Sequence, residues 1–340
     1  MRTRSDEEAR VLHAAASALH GRARSVLAIS GGLDSMVLLD AVASAMSGSR
    51  SSVIVATFDH RTGDHASRAA KMVAKRAHSL GFDCVVGTAA NLGTKESEWR
   101  EERWKFLRAT GRNFDAAVVT AHTLDDQIET VFMRILRDAG PRGLAGLYAE
   151  SDIVRPFLEV RRLQVEAYAR SRNISHVEDP SNSSRTYLRN RVRHDLLPAM
   201  TKVRPGFPSS LLTVARLAAT WREELERAVA QIDVTPGPKG ALRVARADLA
   251  GYDAESLRTL WPAIAARVGV VMDRRGTHRL AEFTMKGHNG GSIQLSGGIE
   301  VRMFRDHLLL GRWDAHRVEM IRNARLSPIS ARRETRAGLT

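Results

Sequence analysis

The sequence predicts an α/β fold: a doubly wound parallel sheet, then a helical segment and a small α+β domain at the carboxyl end. Three observations predict it. The first 150 residues carry four short apolar runs, each followed by a stretch of helical periodicity. Those runs are continuous rather than alternating, as expected of strands covered on both faces. After residue 140 the alternation stops, and helices give way to a final stretch with a Ser-Gly-Gly turn between two apolar runs.

The elements follow in order. SVLAIS (25–30) reads as a buried strand, with a helix over 34–46 whose Met36, Val37, Leu38 and Leu39 crowd together. SVIVATF (52–58) is the second strand, before a helix over 64–80. DCVVG (83–87) is the third, before a helix over 97–110, and DAAVVTA (115–121) the fourth, before a helix over 124–137. VRPF (154–157) is an edge-strand candidate, since Pro156 cannot donate to a ladder. Helices are expected over 161–173, 188–200 and 209–232. TPGPKG (235–240) reads as a linker. Beyond it, a helix over 254–268 and the runs SIQLSGGIEVRMF and HLLLGRW suggest a small mixed module ending in antiparallel strands. The Arg-rich stretch from about residue 317 lacks apolar periodicity and reads as a loose basic tail.

Composition narrows the function classes. The longest uncharged run, 287–299, is too short and too rich in Gly and Ser to cross a membrane. The opening MRTRSDEEAR has acids where a secretory signal would be apolar, so a cytoplasmic protein without a membrane partner is expected. A single cysteine, Cys84, excludes a disulfide framework or a cysteine-built metal centre within this chain. The net charge of +14 points to a polyanionic partner. The basic residues concentrate at Arg185, Arg189, Arg191, Arg193, Lys202 and Arg204, with one acid, Asp195, among them.

In an open parallel sheet the ligand site lies beyond the carboxyl ends of the strands. Polar and acidic residues follow three of the four expected strands: SGGLDS (30–35), then Asp59 and His60, then His122, Asp125, Asp126 and Glu129. SGGLDS is the most specific. Gly31 and Gly32 let the backbone approach an anion, and the helix that follows offers amide groups and a positive dipole end to phosphate. Ser30 and Ser35 add hydroxyls, and Asp34 suits Mg²⁺. No Lys stands where a Walker A loop needs one. His122 suits charge stabilisation as imidazolium or proton relay as imidazole. Asp125 and Asp126 suit either helix capping or ligand binding. Asp59 and His60 suit either the nucleotide shell or a turn cap.

The Ser-Gly-Gly-x-Asp-Ser loop resembles that of the PP-loop (N-type) ATP pyrophosphatases, which split ATP into AMP and pyrophosphate. Within that superfamily, WREERW (99–104), TAHTLDDQIETVFMRILRDAGPRGLAGL (120–147) and EDPSNSSRTYLRNRVRHDLLPAM (178–200) resemble the tRNA(Ile)-lysidine synthetases. The resemblance runs from about residue 25 to 200. It implies a carbon–nitrogen ligase that uses ATP, Mg²⁺ and free L-lysine on the wobble cytidine of the CAU anticodon of an isoleucine tRNA.

On that resemblance, residues 1–150 are the catalytic domain and 151–234 a helical extension with a basic phosphate-contacting segment. Residues 241–316 are a small tRNA-binding domain, and 317–340 a basic tail. Ser30, Gly31, Gly32, Leu33, Asp34 and Ser35 are expected to hold ATP. Asp126 and Glu129 are expected to hold lysine, and Arg100, Arg103, Arg189, Arg191 and Arg193 to contact phosphate or tRNA. Asp34, His122, Asp126 and Arg191 are the expected catalytic set. Oligomeric state, monomer or dimer, stays open. The competing readings are a cytidine thiolase of the same superfamily, disfavoured by the lone Cys84, and a non-catalytic tRNA-binding protein, disfavoured by the intact 30–35 loop.

Overall fold

The computed structural model describes residues 4–46, 48, 50–61, 63–89, 96–178 and 184–312. The chain divides into two compact units, with the division between Thr220 and Trp221. Each is a five-stranded sheet with helices.

The first unit opens with α1 (Arg4–Leu19), then alternates β1 (Ser25–Ala28), α2 (Leu33–Ala45), β2 (Val53–Asp59), α3 (Asp64–Ser79), β3 (Asp83–Thr88), α4 (Glu96–Asn113), β4 (Ala117–Val119) and α5 (Leu124–Leu136). A short α6 (Pro141–Leu144) and a 3₁₀ turn lead to β5 (Ile153–Val154) and α7 (Arg162–Ser171). The strand order is β3-β2-β1-β4-β5, all parallel. The expected doubly wound sheet is therefore present, with the residues around 153–154 as its edge strand. Its winding reverses at β1, which lies between β2 and β4, so a crevice forms beyond the carboxyl ends of these strands.

The apolar runs explain the layers. Leu27, Val37, Leu38, Val55 and Val119 are fully buried on one side of the sheet, beneath α1, α2 and α7. Val26, Ala56, Leu107 and Val118 pack on the other, beneath α4. α2 is buried almost all round, as its lack of a polar stripe requires. α1 was not legible as a helix in the sequence, yet its Val11 and Ala15 are fully buried.

The helix expected over 188–200 is interrupted. It runs as α8 (Leu188–Arg191), a π turn (Val192–Leu196) and α9 (Leu197–Val203). Pro198 lacks the amide that would continue the regular ladder, and the wider turn accommodates it. α10 (Phe207–Ala230) follows. Its Leu211, Leu212 and Ala215 pack with Ile128, Val131 and Phe132 of α5 and with Val192.

The second unit's sheet is antiparallel, β6-β7-β10-β9-β8, built from β6 (Val234–Pro236), β7 (Leu242–Ala245), β8 (Ser292–Leu295), β9 (Ile299–Met303) and β10 (His307–Arg312). Accompanying it are the end of α10, with Leu225 and Val229 in the core, and α11 (Arg246–Leu249), α12 (Ala254–Ala266) and α13 (Arg274–Lys286). Buried Trp261, Leu257, Leu280, Val301 and Leu308 form its core. The Pro/Gly stretch at 235–240 is not a linker: Val234–Pro236 pairs antiparallel with Leu242–Ala245, and the intervening residues turn a hairpin. Lys239 and Gly240 both adopt positive φ there, the conformation a tight reversal needs. The expected basic tail, 317–340, lies outside the described residues, as do residues 179–183 of the turn before α8.

Candidate active site

The loop after β1 is drawn shut by its own serines. The Ser35 hydroxyl donates to the Gly32 carbonyl (2.8 Å) and accepts from the Ser30 amide (3.2 Å), and the Gly32 amide reaches the Ser30 hydroxyl at 3.4 Å. The expected hydroxyl donors thus serve first to shape the loop. Ser35 is buried, whereas Ser30 is exposed to the crevice side. Gly31 has φ +89, and a Cβ there would stand 3.2 Å from the Ala69 Cβ of α3, so loop and helix touch directly. Gly32 is the N-cap of α2 and supplies no side-chain cap. The first-turn amides of α2, beginning at Leu33, therefore suit an external anion.

Asp34 sits in that first turn. Arg162 Nη2 pairs with its Oδ2 at 3.1 Å, while its Oδ1 is buried without a hydrogen-bond partner. Burial raises its pKa to about 6 despite Arg162; Asp126 adds to the rise and Arg193 opposes it. A carboxylate with one oxygen held and the other buried and unmatched fits a divalent cation. Such a cation would share Asp34 with nucleotide phosphates, as Mg²⁺ commonly does. Among the described residues no trio of His, Cys, Asp or Glu forms an all-protein metal cage.

Beyond β4, Thr123 and Asp126 form the capping box of α5: the Thr123 amide and hydroxyl donate to Asp126 Oδ2 (2.9 and 3.0 Å). Asp126 is thus both the capping acid and a site acid. Asp125 instead takes a bidentate contact from Arg161 (3.1 and 2.9 Å) and the Arg162 amide (2.7 Å), fixing α7 to α5. Asp126 and Glu129 share one face of α5, as their spacing predicts, and both are buried.

The arginine run RNRVR (189–193) separates by helical period. Arg189 and Arg193, four residues apart, turn inward. Arg189 gives Nε to Glu129 Oε2 (2.9 Å) and Nη2 to Asp126 Oδ1 (3.3 Å). Arg193 gives Nε and Nη2 to Glu129 (2.5 and 2.9 Å) and Nη2 to Asp126 (3.2 Å). Arg191 is exposed and not part of this group. Burial works against ionisation of Asp126, but Arg189, the Thr123 amide, His122 and Arg193 outweigh it and hold its pKa below the usual carboxylate value.

His122 Nδ1 lies 2.8 Å from Thr120 Oγ1. Burial pushes its pKa down to about 4; Asp126 pulls up, while Arg189, Arg155 and Arg103 push further down. It is a neutral imidazole at neutral pH, so of its two expected roles proton relay is the one its surroundings favour. Arg103 lies against the Trp104 ring (5.9 Å), and burial and Arg100 lower its pKa to about 10, leaving it cationic. Arg100, on the same helix, is exposed. Asp59 is occupied locally, accepting from the Arg61 amide (2.8 Å) and Ser67 hydroxyl (2.7 Å), which is the turn-capping reading. His60 packs edge-on against Phe58.

The structure therefore brings together Asp34, His122, Asp126, Glu129, Arg189 and Arg193, while Arg191 is exposed and Asp59 is engaged by its own turn. Sequence reasoning missed Arg161 and Arg162. The signal was available: they follow the fifth strand and must emerge near the same sheet edge. A cavity of about 300 Å³ lies elsewhere, at the amino ends of β1 and β2, lined by His20, Arg22, Ser25 and Ser52 and by no acid.

A PP-loop domain family matches residues 3–200. A tRNA(Ile)-lysidine synthase of Salinispora arenicola is 34% identical over 290 residues, covering 81% of this chain and 87% of that protein. A tRNA(Ile)-lysidine synthase of Thermosipho africanus is 33% identical over 198 residues, 56% of this chain and 46% of that longer protein. The U34-tRNA thiolase NcsA of Methanococcus maripaludis, solved with its [4Fe-4S] cluster, superposes with a TM-score of 0.53 at 14% identity, over 65% of this chain and 80% of that one, and shares the fold. No described helix is long and apolar enough to cross a membrane. The chain belongs to the PP-loop family and, within it, to the tRNA(Ile)-lysidine synthases.

Proposed function

We propose that the chain adenylates O2 of the wobble cytidine in the CAU anticodon of tRNA(Ile) and then joins L-lysine to C2, forming lysidine. The observation that carries this reading is the placement of an uncapped helix start, a half-satisfied Asp34 and the Asp126–Glu129 pair along one sheet edge, with Arg193 within electrostatic reach of Asp34. In the first step cytosine O2 attacks the α-phosphorus of ATP, and the bond to pyrophosphate breaks. In the second the lysine ε-amine attacks C2, and the C2–O2 bond breaks to release AMP.

Each residue has a role to match. Residues 30–35 cradle the phosphates, with the Leu33 and Asp34 amides as donors. Asp34 would hold Mg²⁺, which when bound neutralises charge on the phosphates. Asp126 and Glu129 orient the ammonium groups of lysine. The ε-ammonium, ordinarily of pKa about 10.4, must give up one proton before attack and another as AMP leaves. Neutral His122 is the relay in this reading, a weak base that passes those protons on and does not keep them. Arg189, Arg193 and the exposed Arg191 meet phosphate of the adenylate or the anticodon loop. Arg100 and Arg103 extend the basic surface.

On the same reading the first unit, to Thr220, carries catalysis and the phosphate-contacting segment, and the second unit, from Trp221, is a grip on the tRNA body. A thiolase reading is opposed by Cys84, the only cysteine. It stands in β3, with burial raising its thiol pKa to about 11.

The test is incorporation of radiolabelled lysine into a CAU-bearing tRNA(Ile) transcript. Incorporation is expected only with ATP and Mg²⁺, with release of AMP and pyrophosphate. Incorporation that persists in Asp34→Ala, or none with the unaltered chain, overturns the reading.

A further inference from the structure

The two carboxylates assigned to lysine and two of the arginines assigned to phosphate are bonded to each other. Glu129, with only 4% of its side chain exposed, carries both Arg189 and Arg193, and Asp126 Oδ1 carries both as well. Two negative and two positive charges close into a neutral quartet. A cation entering alone meets carboxylates already neutralised by guanidinium groups. An anion entering alone draws arginines away from buried acids and leaves those acids unmatched, which is costly. If both enter, the anion takes the arginines, the cation takes the acids, and every charge stays matched.

Two further features fit. Arg193, bonded to both acids, also interacts electrostatically with Asp34 of the phosphate loop. It also belongs to the π turn Val192–Leu196, whose extra residue per turn is a recurrent feature of functional sites in helices.

We propose that Arg189 and Arg193 are placeholders, occupying the amino-acid carboxylates until nucleotide phosphate draws them off, so that lysine and ATP bind with positive cooperativity. This rests on the lysine and ATP sites of the preceding section and adds their coupling. By linkage the coupling is reciprocal: the factor by which nucleotide tightens lysine equals the factor by which lysine tightens nucleotide.

The experiment is equilibrium dialysis of the full chain with labelled L-lysine, with and without saturating α,β-methylene-ATP and Mg²⁺, and the converse titration of the analogue. The expected result is a tightening of lysine by roughly tenfold or more, within the usual range of coupling factors, and an equal factor in the converse titration. In Arg193→Gln the coupling is expected to shrink and lysine to bind more tightly without nucleotide, while analogue binding reports that the fold is intact. Equal lysine affinity with and without the analogue overturns the placeholder inference and leaves the lysine pocket standing. Absence of lysine binding under both conditions overturns the pocket and the inference together. Loss of lysine binding in Arg193→Gln with analogue binding retained also overturns it, because the arginine would then be holding the amino acid itself.

Discussion

The ion-pair quartet yields a quantitative test through a double-mutant cycle of Glu129→Gln and Arg193→Gln. Glutamine keeps the volume of Glu129 but removes its charge, leaving two guanidinium groups to share Asp126 Oδ1 at 3.3 and 3.2 Å. Removing one partner of a fully buried pair costs about 3–5 kcal/mol. Here the side chains of Arg193 and Arg189 are 23% and 34% exposed and regain some water, so about 2–3 kcal/mol is expected for Glu129→Gln. Arg193→Gln leaves Glu129 with Arg189 Nε at 2.9 Å, so its cost should be the smaller, about 2 kcal/mol. The double variant faces an amide with an amide and is expected to fall short of the sum by about 1–2 kcal/mol, the range for contacting residues. Urea unfolding gives the free energies. Hydrogen exchange of peptides covering 124–136 and 188–203 assigns them to this unit, since two compact units need not unfold together. A coupling below about 0.5 kcal/mol would show that the quartet behaves as a solvent-screened surface pair, and the reasoning would fail.

Asp34 has a raised pKa, so its favourable contribution to folding is complete below the unfolded value near 4 and is lost as pH rises through about 6. Asp34→Asn should therefore gain stability over the parent chain as pH rises from 4 to 7, by up to about 3 kcal/mol, while losing lysine incorporation. Urea midpoints at the two ends of that range check it; a difference that does not change with pH refutes it. Gly146 has φ +64, and a Cβ there would fall 2.5 Å from the Oε1 of fully buried Gln127, which also accepts from the Leu147 amide. Gly146→Ala is expected to cost about 2–3 kcal/mol from backbone strain and a displaced hydrogen bond, read as a lowered urea midpoint.

Much of the first unit is legible because its strands are short, apolar and continuous, because α2 is apolar nearly throughout, and because periodicity marks α3 and α5. α1 and α13 are harder to see. Each buries only one large aliphatic side chain completely, Val11 in α1 and Leu280 in α13, among alanines and many charged residues, so the apolar stripe is faint. The hairpin at 235–240 is mistaken for a linker because proline and glycine mark any sharp reversal, whether it joins strands or domains. At the site, local chemistry is legible and partnership is not. The 30–35 loop and the Asp126–Glu129 spacing depend on neighbours within a few residues. The contacts of Glu129 with Arg193 and of Asp34 with Arg162 bridge 64 and 128 positions, and no local pattern encodes them. Helical period separates Arg191 from Arg189 and Arg193, which an alternating reading of RNRVR does not.

The margins of both sheets are blunted. β5 is two residues long, followed by Arg155 and Pro156, and β3 begins with Asp83. In the second unit the outermost strands are three and four residues long, and Pro236 ends one of them. Ladders as short as those of β5, β6 and β8 give a neighbouring molecule little to extend, so edge-to-edge pairing is discouraged at these strands. The large apolar side chains that the chain does expose, Leu163, Leu217 and Val203, stand on helices, which offer a neighbour no strand ladder to extend.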